Sequence, residues 1–203
     1  MKSWECTVCG YIHVGDEPPE KCPRCGADRS KFVEIPSEEK PLEKKTEPPA
    51  ASSIVDVFTG LIVKHHLHPI SVHIPNGVLP LSVFFTFIAA FLQLENFGLV
   101  AFYNMIFVVL AMPVVLFSGY IDWKKRFGGS LTKLFITKMI CGSIVTLLSL
   151  ITVAWRIFDP NVLSVSSSGR WFFLFIHLVM LGAAVVAGYC GGKLVFDLDE
   201  NAY

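Results

Sequence analysis

Apolar and polar positions are unevenly distributed along the chain. Four long apolar runs fall at about 74–94, 99–121, 134–158 and 171–196. Each meets the roughly 20 residues needed to cross a hydrocarbon core of about 30 Å at 1.5 Å per residue. The pattern predicts four membrane-spanning helices, an all-α transmembrane bundle over 68–203. Pro75 is tolerated in a first helical turn, whereas Pro80 and Pro113 predict bends in the first and second spans. Ahead of the bundle, Ile54, Phe58, Leu61 and Ile62 recur at helical spacing, and Ser53 followed by Asp56 fits a capping box. The segment 54–67 is short for a span. It predicts an amphipathic helix lying in the interface and ending before His68-Pro69. The stretch 34–53, EIPSEEKPLEKKTEPPAASS, has no apolar period. Residues 36–53 are expected to form a charged, Pro-rich tether with a reach of roughly 25 Å. Residues 1–35 form a separate head. No apolar core follows Lys2, so the N-terminus does not read as a signal peptide.

Composition sharpens this division. Residues 1–54 hold 8 basic and 10 acidic side chains; the longer remainder holds 9 and 7. Head and body therefore face different solvents. Lys+Arg and Asp+Glu are both 17, and this zero net charge argues against nucleic acid as a partner. The turn between spans two and three carries Lys124, Lys125 and Arg126, with Lys133 and Lys138 just beyond, while the turn between spans one and two has no basic residue. The positive-inside tendency puts the Lys-rich turn in the cytoplasm. Four spans then bring both termini, and the head, to the same side. Trp123 marks the inner rim, and Trp155 and Trp171 the outer.

The head contains two C-x2-C pairs, Cys6/Cys9 and Cys22/Cys25, twelve residues apart. Each pair presents two thiolates from one tight loop. Two facing loops supply four tetrahedral sulfurs, a donor set that suits zinc or iron. Gly10 and Gly26 follow the pairs and let backbone N–H groups turn toward the sulfurs. A reducing cytoplasm argues against two disulfides. A head of about 35 residues buries little core, so the metal also holds its fold.

Trp4-x-Cys6-x-x-Cys9-Gly10-Tyr11, Pro18-Pro19, Cys22-Pro23-x-Cys25-Gly26-Ala27 and Phe32 resemble the short rubredoxin-like domain of rubrerythrins. The resemblance implies a β-hairpin head holding one iron as Fe(Cys)4, cycling between ferric and ferrous. Zinc is the alternative metal. Rubrerythrins also carry a di-iron domain with Glu-x-x-His motifs. No Glu-x-x-His occurs here, so that peroxidase chemistry is not implied.

Polar side chains within spans are costly, which makes each a functional candidate. His65, His66, His68, His73, Asn76, Ser118, Asp122, Lys133 and Lys138 cluster toward the inner rim; Asn104, Thr152 and His177 lie deeper on the outer side. His65 and His66 read as interfacial. His68, His73 and His177 are the candidate contacts for a haem or a quinone. The plainer expectation pairs Asp122 with Lys138 and bonds His177 to Asn104 or Thr152. Ala184, Gly188 and Gly192 share a face with His177 and predict close packing, within one bundle or between copies in a homo-oligomer. His73 and His177 differ in depth by roughly 20 Å, too far to clamp one b-type haem. Met105 lies near the depth of His177, and Cys141 and Cys190 read as packing thiols.

His68-Pro69 with Val72-His73-Ile74-Pro75, Ser118-Gly119 with Asp122-Trp123, and Gly191-Gly192-x-Leu194-Val195 are similar to motifs of an uncharacterised family of small four-helix membrane proteins. That resemblance implies four helices and a redox role, without catalytic residues. The expected function is membrane-anchored electron transfer, with a cytoplasmic redox protein, membrane lipid and quinone as partners. The alternative is a zinc-ribbon interaction module on a non-redox scaffold.

Overall fold

The computed structural model describes residues 2–35 and 54–195. The expected tether at 36–53 lies outside the described residues.

The head is a three-stranded antiparallel sheet. β1 (Lys2–Cys6) runs centrally between β2 (Ile12–Gly15) and β3 (Phe32–Ile35). The hairpin expected from the sequence is β1–β2, with Trp4 opposite His13; β3 adds a third strand with Cys6 opposite Phe32. Such short strands bury little apolar area. The core consists largely of the cysteines themselves with Val8, Ala27 and Phe32.

The body consists of α1 (Ile54–Lys64), α2 (Leu67–Ser71), α3 (His73–Leu92), α4 (Glu95–Arg126), α5 (Lys133–Phe158) and α6 (Arg170–Val195). Among the described residues, four helical segments are long and apolar enough to cross a membrane: Leu67–Leu92, Glu95–Arg126, Lys133–Phe158 and Arg170–Leu194. They form an up-and-down bundle in which each helix packs on its sequence neighbour and α6 closes against α3. Large apolar side chains such as Phe84, Phe107, Leu110 and Phe175 point outward, as lipid contact requires. The interior holds Leu79, Val108, Met112, Val145 and Met180. Buried hydroxyls are satisfied within the bundle. Ser82 donates to Ala101 O at 2.7 Å, Thr86 to Ser82 O at 2.9 Å and Thr152 to Ser149 O at 3.0 Å.

One expectation shifts. The helix expected over 54–67 ends at Lys64; His66 takes a left-handed conformation at φ 51°, and the chain restarts as α2. Pro69 then stands in the first turn of α2, where its missing N–H is not needed. Pro80 and Pro113 both remain inside continuous helices and face outward. α1 packs Thr59 and Ile62 inward and exposes Ile54, Val55, Val57, Phe58 and Leu61, an apolar face suited to lipid.

Candidate metal centre

The two cysteine loops are built alike. In the first, Gly10 N donates to Cys6 O at 2.8 Å and Cys6 N to Tyr11 O at 2.8 Å. In the second, Gly26 N donates to Cys22 O at 2.8 Å and Cys22 N to Ala27 O at 2.7 Å. Gly10 (φ 71°) and Gly26 (φ 74°) close the loops in a conformation that penalises a Cβ. The Sγ atoms of Cys6 and Cys25 are 3.8 Å apart, those of Cys9 and Cys22 are 3.6 Å apart, and all four lie within 4.8 Å of one another. A regular tetrahedron with metal–sulfur bonds of about 2.3 Å has edges of about 3.8 Å. The quartet is therefore already at the spacing of a four-thiolate metal site. Cys6, Cys22 and Cys25 are buried and Cys9 is half-buried.

The electrostatics of the bare quartet point the same way. Thiols of Cys25 and Cys9 donate to Cys22 and hold its sulfur well below the usual thiol range. The same hydrogen bond to Cys22 is the main cause that pushes Cys9 and Cys25 up, with burial adding to it. Four thiolates at this spacing repel one another, and a metal cation is what lets them share one buried place. Because the protein supplies all four ligands, no position is left for substrate. The site suits structure or electron transfer rather than Lewis-acid catalysis. Each bound thiolate excludes a proton, so metal-linked stability is full above the free-thiol value of about 8.5 and declines as pH falls below it. Acidification is expected to release the metal; elemental analysis after desalting at stepped pH measures it.

The head sits on the end of the bundle that carries the α4–α5 turn. Thr132, at the N-cap of α5, makes no capping bond to its own helix; its hydroxyl donates to Cys25 O at 2.7 Å. Arg24 Nε donates to Leu194 O at 3.1 Å, near the C-terminal end of α6. Phe127 and Phe135, with ring centroids 5.0 Å apart, join Leu194 and the cysteines in one buried cluster. This contact has no signature in the sequence, since Arg24 and Leu194 are 170 residues apart. Combining Arg24→Gln with Thr132→Val is expected to weaken docking by about 2 kcal/mol, about 1 per hydrogen bond. Hydrogen exchange should quicken in 22–27 and 127–135 while metal content stays unchanged.

The histidines separate. His65, His66 and His73 are exposed. His68 turns into the bundle at the end where the head docks, and there Nδ1 lies 3.2 Å from Val115 O and Nε2 lies 3.1 Å from Lys138 Nζ. Asp122 is buried but pairs with Arg126 one turn along its own helix, at 3.5 Å, rather than with Lys138. His177 is 2% exposed, and its Nδ1 lies 2.9 Å from Phe173 O instead of bonding Asn104 or Thr152. A small cavity beside it is lined by Thr86, Met105, Thr152 and Arg156. His177 faces inward as expected, but the small-residue row does not follow it: Gly188 is exposed, while Met180, Cys190 and Leu194 are buried. Seventeen residues separate His177 from Leu194, roughly 26 Å along α6. The structure thus brings none of His68, His73 and His177 together.

Comparison with known proteins divides the chain in the same way. Residues 4–33 match the family model for the rubredoxin-like domain of rubrerythrin, and residues 64–199 match that of a predicted membrane protein family (DUF2231). Among curated proteins, reverse rubrerythrin-1 of Clostridium acetobutylicum is 58% identical over 38 residues, covering 19% of this chain and 21% of that protein. A putative rubrerythrin of Methanocaldococcus jannaschii is 51% identical over 35 residues, 17% of each chain. The chain thus spans about a fifth of the length of these relatives, and only through the head. No solved structure matches. The membrane family model covers more than half of the sequence: the chain belongs to the predicted membrane protein family DUF2231, with a rubredoxin-like, four-cysteine domain set ahead of the family's helices.

Proposed function

We propose that the protein is a membrane-anchored electron carrier whose head holds one iron through Cys6, Cys9, Cys22 and Cys25. The observation that carries this reading is a closed quartet of thiols, at the spacing of a metal tetrahedron, seated on the end of a membrane bundle. The likeness of the head to rubrerythrin domains favours iron over zinc. Bound iron would supply one-electron chemistry; the four cysteines fix its coordination, and the surrounding apolar side chains keep water from three of the sulfurs.

The head touches the turn that carries Lys124, Lys125 and Arg126, so head and basic turn share one side of the bilayer; the basic residues favour the cytoplasm. In this reading a cytoplasmic redox protein meets the head and a quinone in the lipid meets the bundle. The candidate contacts fare unequally. Both ring nitrogens of His68 are engaged, His177 stands at the opposite end, and His73 alone faces outward where a lipid-soluble quinone would pass.

The test is elemental analysis with a visible spectrum of detergent-solubilised protein. A ferric tetrathiolate absorbs broadly in the visible. A colourless protein with one zinc would replace this reading with that of a zinc-ribbon interaction module. A reporter fused to the N-terminus and active only outside the cell would overturn the orientation.

A further inference from the structure

Beneath the docked head the bundle buries a set of ionisable side chains that electron transfer alone leaves without a task. Lys138 lies on α5 three residues beyond Phe135, about 4.5 Å further along the axis from the docking contact. Its Nζ is 3.1 Å from Nε2 of His68. The other ring nitrogen faces a carbonyl, Val115 O at 3.2 Å, so Nδ1 carries the hydrogen and Nε2 presents its lone pair to Lys138. Gly119 makes room for the ring, since a Cβ there would come within 2.8 Å of His68 Cε1. Around this pair, α4 contributes Ser118, Asp122 and Arg126, α2 contributes Ser71, α5 Cys141 and α6 Cys190. Asp122 is already engaged by Arg126.

An ammonium offers three donors. Among the described residues, Lys138 finds one acceptor, His68 Nε2, and no carboxylate at ion-pair distance. Its proton is thus held in a poorly solvated place by few partners. The occupancy of such a site responds strongly to charge placed nearby in low dielectric. The four-thiolate head, one layer above, is where negative charge arrives.

We propose that the Lys138–His68 pair takes up one proton when the docked head gains an electron. This rests on the reading of the head as a ferric–ferrous centre. The electron comes from the soluble redox partner and reduces ferric to ferrous iron without breaking a metal–sulfur bond. In the oxidised state Lys138 is the neutral amine; the proton comes from cytoplasmic water past Asp122 and converts it to the ammonium, which donates to His68 Nε2. The charge of the assembly is unchanged by the paired steps. By reciprocity, proton binding eases electron entry by the same factor.

The experiment is spectroelectrochemical titration of the full iron-loaded chain in lipid nanodiscs across neutral pH, with a pH-indicator dye reporting proton uptake on reduction. Wild type should show a midpoint that falls with rising pH at about one proton per electron. Lys138→Gln should abolish both the slope and the dye signal while keeping the visible spectrum. His13→Gln, in the head's own strand, should keep both. A reversible wave with no pH dependence in wild type, or a slope that survives in Lys138→Gln, overturns the coupling and leaves the electron carrier intact. The absence of any ferric–ferrous wave overturns the carrier reading and the coupling together.

Discussion

Cys22→Ser is expected to strip the metal from the head and unfold its sheet while the bundle keeps its helices. The reason lies in the composition of the head's core. Cys6, Cys22 and Cys25 supply half of its six buried apolar residues, beside Val8, Ala27 and Phe32. Strands of four or five residues bury too little surface to stand alone. In small thiolate domains, metal binding and folding are one free energy, on the order of 10–16 kcal/mol for zinc-finger peptides. Removing one of four ligands forfeits enough of that to lose the fold. Elemental analysis should show metal loss, and hydrogen exchange should show loss of protection in β1 to β3. Far-UV circular dichroism should stay near wild type, because the helices satisfy their own backbones. Cys141→Ser and Cys190→Ser, which alter thiols outside the quartet, are the matched controls and should keep the metal. Loss of metal in either control, or a protected sheet in Cys22→Ser, would show that the quartet does not hold the head together.

Gly119→Val should damage the end of the bundle on which the head docks. Even a Cβ at this position would lie 2.8 Å from Cε1 and 3.1 Å from Nδ1 of His68. The ring has little freedom to yield, being tied to Val115 O on one side and Lys138 on the other. Overpacking of this kind costs about 1–3 kcal/mol, and it would also part Ser71 from Ser118, now 3.2 Å apart. The measurement is thermal unfolding in detergent. The decisive control is a cycle with His68→Ala. With the ring gone, the added methyls fill its space, and most of the penalty should vanish. Equal penalties in both backgrounds would place the clash elsewhere.

The parts legible from sequence are those where chemistry forces a local pattern. Four thiolates on one ion demand two tight loops, and these appear as C-x2-C-G twice. A bilayer demands about 20 apolar residues per helix, and these appear as four runs. His177 does face inward, but the small residues are a poor guide to that face: Gly188 is exposed, and the buried side of α6 beyond His177 is marked by Met180, Cys190 and Leu194. The break after Lys64 is not legible, because Pro69 on its own points to a helix end just before it. Proline terminates a helix from the interior, not from a first turn. Charge alone pairs Lys138 with Asp122, but Arg126, four residues on along the same helix, reaches that carboxylate first. The seating of the head on the bundle was invisible. It depends on a threonine hydroxyl, an arginine and three apolar side chains brought together from distant parts of the chain, and no periodicity encodes such a meeting.

That seating bears on how the molecule can be divided. Severing the chain between residues 36 and 53 would leave two injured fragments rather than two modules. The bundle would present Phe127, Phe135 and Leu194 bare to water, beside a helix start whose threonine has nothing left to hold. Such a greasy stump invites self-association, so a headless version should run as aggregates where the intact chain does not.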